Sequence, residues 1–187
     1  MSRLFIALPL DHTVRECLNK TADFLKEYSD YLKIVPPENF HITMKFLGEL
    51  NDKTAGMIAE SFSKIKFDQN EIPYSLKGLG MFRNDSGGVL WAGIESDMKL
   101  LKNIQRVIEA FTKSFGFEKE KRNFVPHVTL ARLKTGAKLP EEITSFIKEN
   151  SNTFYTAGFF NRVVLYESKL QPSGAVYKEI SSIHLNK

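Results

Sequence analysis

Cysteine is all but absent from this chain of 187 residues: Cys17 stands alone, which excludes an internal disulfide and a cysteine-rich metal site. Long apolar runs are missing too. The longest, such as Leu4 to Leu8, are far too short to cross a bilayer. The N-terminal Met-Ser-Arg-Leu-Phe-Ile-Ala-Leu-Pro-Leu lacks the extended apolar core and small-residue cleavage site of a secretory leader and reads as a first strand. A cytoplasmic protein with no membrane association is therefore expected. No His-x-x-x-His pair or knot of closely spaced carboxylates suggests a metal centre. No glycine-rich loop suggests a nucleotide cradle, because Gly78-Leu79-Gly80 does not open a helix and no Lys-Ser or Lys-Thr pair follows a P-loop pattern. Neither a Gly-, Pro- or Ser-rich linker nor a short solenoid repeat divides the chain.

What the chain does have is bulk. Fifteen Phe residues, with 42% hydrophobic and 26% charged residues overall, give enough material for one compact unit spanning 1–187 or two small lobes sharing a core. The net charge of +4 and an isoelectric point of about 9.0 favour an anionic partner. Lys119-Glu120-Lys121-Arg122 is a short basic cluster, not a nucleic-acid tail.

Residues 3–8 alternate as a strand, and Asp11 or Thr13 caps a helix carrying Val14, Cys17, Leu18, Leu25 and Tyr28 on one face. Tyr31 to Val35 and Phe40 to Leu47 read as strands, the second closed by Gly48. Asp52 or Thr54 starts a helix through Ile58, Phe62 and Ile65. Strands follow over 72–79 and 88–94, with a turn over 84–88 between them. Leu101, Ile104, Ile108, Phe111 and Phe115 mark an amphipathic helix stopped by Gly116. Phe124 to Leu133 reads as a strand, Pro140 opens a short helix, and Phe154 to Phe160 reads as a strand. A last hairpin turns over 171–174. Strands joined by short turns and interspersed with helices predict an α+β fold with antiparallel pairing.

One pattern occurs twice. Phe40-His41-Ile42-Thr43-Met44 and Pro126-His127-Val128-Thr129-Leu130 share the order His, apolar, Thr, apolar. Side chains two apart on a strand project from the same face, so each copy sets an imidazole beside a hydroxyl. With four His and ten Thr in the chain, about 0.2 chance His-x-Thr matches are expected. A single copy would read as a core histidine with a satisfied partner. Two copies, one in each half, point to a site. His12 and His184 have no such companion.

These segments resemble the RNA 2′,3′-cyclic phosphodiesterase family of the two-histidine phosphoesterases, historically called 2′-5′ RNA ligases. The resemblance runs from Arg3-Leu4-Phe5-Ile6-Ala7, through Val35 to Glu49, Gly78 to Phe82 and Val89 to Gly93, to Pro126 to Arg132 and Leu165 to Ser168. It implies two pseudo-symmetric lobes, each an antiparallel sheet backed by helices, with one His-x-Thr from each facing a central cleft. It also implies that His41 protonates the leaving 3′ oxygen of a cyclic phosphate while His127 activates water. From sequence alone the two are interchangeable. Thr43 and Thr129 would donate to the phosphate oxygens, and Arg132 matches a phosphate-contacting arginine. Strict alternation sends Arg132 to the face opposite His127, so its role requires a bulge or a strand end. Lys45 shares the face of His41 by alternation and is expected as an exposed strand lysine. Phe5 and Tyr166 could stack on a base, although most Phe, and Trp91, are expected in the core.

The expected activity is metal- and cofactor-free opening of 2′,3′-cyclic phosphates on RNA or nucleotides, by a monomer. Paired imidazoles suit it, since one can be neutral and the other protonated near neutral pH. The same site could instead serve 2′-5′-linked oligonucleotides, ADP-ribose cyclic phosphate or 2′-5′ ligation. A reading of another class is an RNA-binding module without catalysis, for which two titratable groups are superfluous.

Overall fold

The computed structural model describes residues 1–84, 87–171 and 174–186. Among the described residues, nine strands form two antiparallel sheets, backed by four α-helices. The strands are β1 (Ser2–Pro9), β2 (Leu32–Ile34), β3 (His41–Leu50), β4 (Ile72–Asn84), β5 (Gly87–Ser96), β6 (His127–Leu133), β7 (Phe154–Phe160), β8 (Arg162–Gln171) and β9 (Gly174–His184). The helices are α1 (His12–Lys26), α2 (Asp52–Phe62), α3 (Met98–Lys113) and α4 (Glu141–Glu149). One sheet has the order β3-β1-β8-β9 and the other β2-β6-β5-β4-β7. None of the helices among the described residues is long and apolar enough to cross a membrane.

Neither sheet belongs to one half of the chain. Helix α1 follows β1 of the four-stranded sheet yet packs on β2 and β7 of the other, where α4 joins it against β4. Conversely, α3 follows β5 of the five-stranded sheet and packs on β3, while α2 packs on β1 and β9. Each sheet thus has two helices behind it, and the crossing connections tie the two layers together.

Local chemistry explains the boundaries. Asp11 caps α1, its carboxylate accepting from the Val14 amide at 2.9 Å. The helix buries Val14, Leu18, Ala22 and Leu25, and ends at Lys26, short of Tyr28. For α2 the cap is Asn51, accepting from the Thr54 amide at 2.9 Å, one residue before the expected Asp52. Asp97 caps α3, whose Leu101, Ile104 and Ile108 stripe is fully buried, and Gly116 follows it at φ +87°. The strand expected from Phe124 begins only at His127. The expected hairpin turns join β4 to β5 and β8 to β9, and their tips, Asp85-Ser86 and Pro172-Ser173, lie outside the described residues.

β1 does not show the burial of a half-exposed strand. Leu4, Phe5, Ile6, Ala7 and Leu8 are all buried, because β1 lies between β3 and β8, with α2 packed behind it and His41, Tyr166 and Tyr177 packed over Phe5 on the cleft face. Gly48 does not close β3 either. At φ +73° it sits inside the strand, beside a register shift between Leu4 and Phe5 of β1.

Candidate active site

β3 opens on His41 and β6 opens on His127, and the two strands approach each other across the cleft between the sheets. Each ring is fixed by the same device. His41 Nδ1 donates to the Asn39 carbonyl at 2.6 Å, and His127 Nδ1 donates to the Val125 carbonyl at 2.7 Å. A carbonyl only accepts, so Nδ1 carries hydrogen in both rings and Nε2 is the nitrogen left for a ligand. Asn39 is itself anchored: it is buried, and its Nδ2 donates to the Ala175 carbonyl of β9 at 2.7 Å. The hydroxyl of Thr43 lies 3.1 Å from His41 Nε2.

Arg132 reaches the same face through a bulge. In the pairing of β5 with β6, Leu90 is opposite Ala131 and Trp91 is opposite Thr129, which leaves Leu130 without a partner. The extra residue breaks the two-residue alternation, so Leu130 and Ala131 are both buried and Arg132 rejoins the side of His127 and Thr129. β3 has the equivalent feature. Ile6 is opposite Lys45 and Ala7 is opposite Thr43, so Met44 is the extra residue. The outcome for Lys45 is the reverse of the expectation from alternation. Lys45 turns away from His41 toward α3, is only 8% exposed, and pairs with Glu109 at 2.8 Å and with the Glu118 carbonyl. Phe46, 60% exposed, takes the place on the cleft side.

A cavity of about 560 Å³ gathers His41, Thr43, Thr129 and Arg132. It is also lined by Arg3, Lys33, Phe46 and Tyr177, none of which stands out in the sequence as a candidate. His127 adjoins this group closely enough that its charge disfavours protonation of His41. Thus four of the five residues expected at the site line one cavity, and the fifth, His127, is two residues from Thr129 on the same face of β6.

The two imidazoles have different surroundings. Around His41 stand Phe5, with ring centroids 5.0 Å apart, and Tyr177 at 5.4 Å, edge to face. Tyr166 stacks on Phe5 at 5.2 Å. Phe5 and Tyr166 therefore lie within the aromatic nest of the histidine. His127 meets Phe82 edge-on at 5.0 Å and Trp91 at 6.5 Å. Trp91 is on the cleft face opposite Thr129 instead of in the core, and its indole lies flat over Gly80, where a β-carbon would collide with the ring.

Burial in the aromatic nest lowers the His41 pKa from 6.5 to about 4. The hydrogen bond to Asn39 opposes this, and the charges of His127 and Arg132 add to it. Burial also lowers His127, again with Arg132 contributing and the Val125 carbonyl opposing. Both shifts favour the neutral imidazole near pH 7. Among the described residues no group of three or more His, Cys, Asp or Glu side chains is placed to hold a metal ion.

The LigT-like phosphoesterase family model matches residues 8–91 and 93–177, and each stretch contains one His-x-Thr segment. The RNA 2′,3′-cyclic phosphodiesterase of Aeropyrum pernix is 35% identical over 153 residues, covering 81% of this chain and 85% of its own. That of Archaeoglobus fulgidus is 34% identical over 181 residues, covering 95% and 97%. Among solved structures, E. coli LigT complexed with 3′-AMP superposes with a TM-score of 0.75 at 20% identity, covering 100% of this chain and 99% of its own. With interleaved halves, a repeated strand motif and full-length relatives in agreement, the chain belongs to the LigT-like phosphoesterase family.

Proposed function

We propose that this protein hydrolyses 2′,3′-cyclic phosphates at RNA ends to 2′-phosphates, with no metal ion, His41 acting as general acid and His127 as general base. The observation that carries the reading is the paired tethering of the histidines. Both Nδ1 atoms are engaged by main-chain carbonyls two residues upstream, which leaves two Nε2 atoms to work on a phosphorus between them. His127 Nε2 takes a proton from water as the water oxygen bonds to phosphorus. The bond from phosphorus to the 3′ oxygen breaks, and His41 Nε2–H protonates that oxygen. The products are a 2′-phosphomonoester and a 3′-hydroxyl, and solvent returns the proton from His127 to His41.

Thr43, Thr129 and Arg132 bind the non-bridging oxygens, where charge builds as the pentacoordinate state forms. The phosphate also supplies the proton inventory. An anion between the rings offsets the burial and the Arg132 charge that hold both pKa values down, so substrate and the acid's proton arrive together. The assignment of acid to His41 rests on family resemblance. The relatives' shared name, RNA 2′,3′-cyclic phosphodiesterase, supports the substrate class.

The test is hydrolysis of a 2′,3′-cyclic nucleotide in excess chelator, with identification of the product. A 2′-phosphate is expected, and His41→Ala and His127→Ala should each lower kcat by about 10²–10⁴-fold while the fold is retained by circular dichroism. Cleavage between 2′-5′-linked nucleosides would move the same site to another substrate. RNA binding without any opening would make the protein a binding module.

A further inference from the structure

The cyclic phosphate chemistry uses one cation, Arg132, but three exposed cations line the cavity. Lys33 is directly opposite Arg132 in the pairing of β2 with β6, so the two share the cleft face from adjacent strands. Arg3 comes from the other sheet. It is two residues before Phe5 on β1, on the same face as the ring packed against His41. Tyr177, which lines the same cavity beside His41, feels the positive charge of both Arg3 and Arg132. Glu49 is opposite Arg3 in register. Among the described residues, however, none of the three cations forms an ion pair. Like charges directly opposite on neighbouring strands repel. Three such groups around one cavity without a carboxylate partner form a surface that a second anion would relieve.

The same cavity contains the exposed ring of Phe46, 6.0 Å from Phe5. Cations beside an exposed aromatic face suit a nucleotide chain, which offers both a phosphate and a flat base, better than a free inorganic anion. Arg3 is about 7 Å along β1 from Phe5, comparable to one step between phosphates of an extended strand. Resting on the cyclic-phosphate reading above, we propose that Arg3 and Lys33 form a second phosphate subsite, which holds the phosphodiester on the 5′ side of the terminal nucleoside and makes the site select polynucleotide ends over free nucleotides.

The discriminating experiment compares adenosine 2′,3′-cyclic monophosphate with a tetraribonucleotide ending in the same cyclic adenosine, in the wild type and in Arg3→Gln, Lys33→Gln and the double variant. In the wild type the tetramer is expected to have the higher kcat/KM by about tenfold. The double variant should lose that advantage through KM while mononucleotide turnover stays within about twofold. The slope of log kcat/KM against log salt for the tetramer should become shallower by about 0.7 for each phosphate that is no longer neutralised. Equal losses on both substrates, or no loss on the tetramer, would overturn the subsite. A second measurement does not depend on turnover: anisotropy of a labelled tetramer ending in a 2′-phosphate should show the same weakening in the double variant. Should the wild type open neither substrate, the proposed activity falls, while the binding comparison still decides the role of Arg3 and Lys33.

Discussion

Acidifying the free protein should leave His41 neutral well after an ordinary imidazole has taken up its proton. Desolvation in the nest of Phe5, Tyr166 and Tyr177 lowers its pKa from 6.5 to about 4, assisted by His127 and Arg132. At pH 7 only about one molecule in a thousand then carries the proton. His127 is lowered as well, so the singly protonated pair that acid–base catalysis needs is scarce in the free protein. For that reason kcat/KM should peak below pH 6.5 and fall about tenfold per pH unit above the higher of the two pKa values. Binding of a nucleoside 2′-phosphate places negative charge beside both rings and raises both pKa values. Binding therefore takes up protons, and affinity increases as pH falls through the interval between the bound and free values. The unfolded chain holds the His41 proton more tightly than the native one, so native stability is lost as pH falls from 6.5 to about 4. The assay is an NMR titration of isotopically labelled imidazoles, free and with ligand, beside calorimetry in buffers of different ionisation enthalpy. Arg132→Gln should move both free values upward, because a neighbouring positive charge is removed. A free His41 that titrates at 6.5 or above, or a ligand affinity that ignores pH between roughly 7.5 and 5.5, would refute the reasoning.

Two further outcomes follow from packing. Lys45 and Glu109 are 8% and 11% exposed and 2.8 Å apart, so Lys45→Met strands a buried carboxylate and should cost about 3–5 kcal/mol in urea unfolding. Adding Glu109→Leu should recover most of that loss, and a double variant no more stable than the single would show that the pair is not coupled. Trp91 is the only tryptophan, so its fluorescence reports the His127 side of the cleft directly. Gly80→Ala puts a β-carbon into the indole, and should shift the emission and lower turnover about ten- to a hundredfold by displacing the ring against His127. Unchanged emission and turnover would mean that Trp91 has no part in positioning His127.

The histidines and threonines were legible because alternation over two residues is a local rule, and no irregularity falls between His and Thr in either strand. Helix α3 was legible for a similar reason, its stripe of apolar residues at intervals of three and four being long enough to settle the element type. What the sequence concealed depends on pairing between distant strands. The rule that demanded a bulge before Arg132 applies equally to Lys45, and the bulge at Met44 turns that lysine into the interior. The core placement expected for Trp91 fails because of its neighbours. Leu90 and Ala92 are fully buried, and alternation between them sends the indole the other way, into the cleft. Asn51, Asp52 and Thr54 are all capable caps of similar strength, so the start of α2 was open by a residue or two. Arg3, Lys33 and Tyr177 carry no local signal, since only the assembled sheets bring β1, β2 and β9 to one cavity.

The two bulges also explain how a repeated motif makes an unequal site. Both strands run His, apolar, Thr, apolar, then a second inward residue, then a residue returned to the cleft. The inward residue is Lys45 in one and Ala131 in the other, and the returned residue is Phe46 in one and Arg132 in the other. Two imidazoles held by identical carbonyl tethers would be chemically equivalent if nothing else differed. The sixth position and the neighbouring strands break that equivalence. His41 is enclosed by aromatic rings and has its pKa held near 4, whereas Arg132 stands on the opposing sheet with His127. In the proposed mechanism a bound phosphate therefore meets the guanidinium of Arg132 on one side and an apolar, weakly solvated imidazole on the other. A protonated His41 in that nest lacks solvation other than the phosphate itself, which favours giving up its proton as soon as a leaving oxygen develops charge beside it. Enclosure thus suits His41 to the acid's part. A cyclic substrate with sulfur in place of the 3′ oxygen tests this, because a thiolate departs without needing a proton. On that substrate His41→Ala should recover most of its rate while His127→Ala stays impaired, and the reverse pattern would make His41 the base.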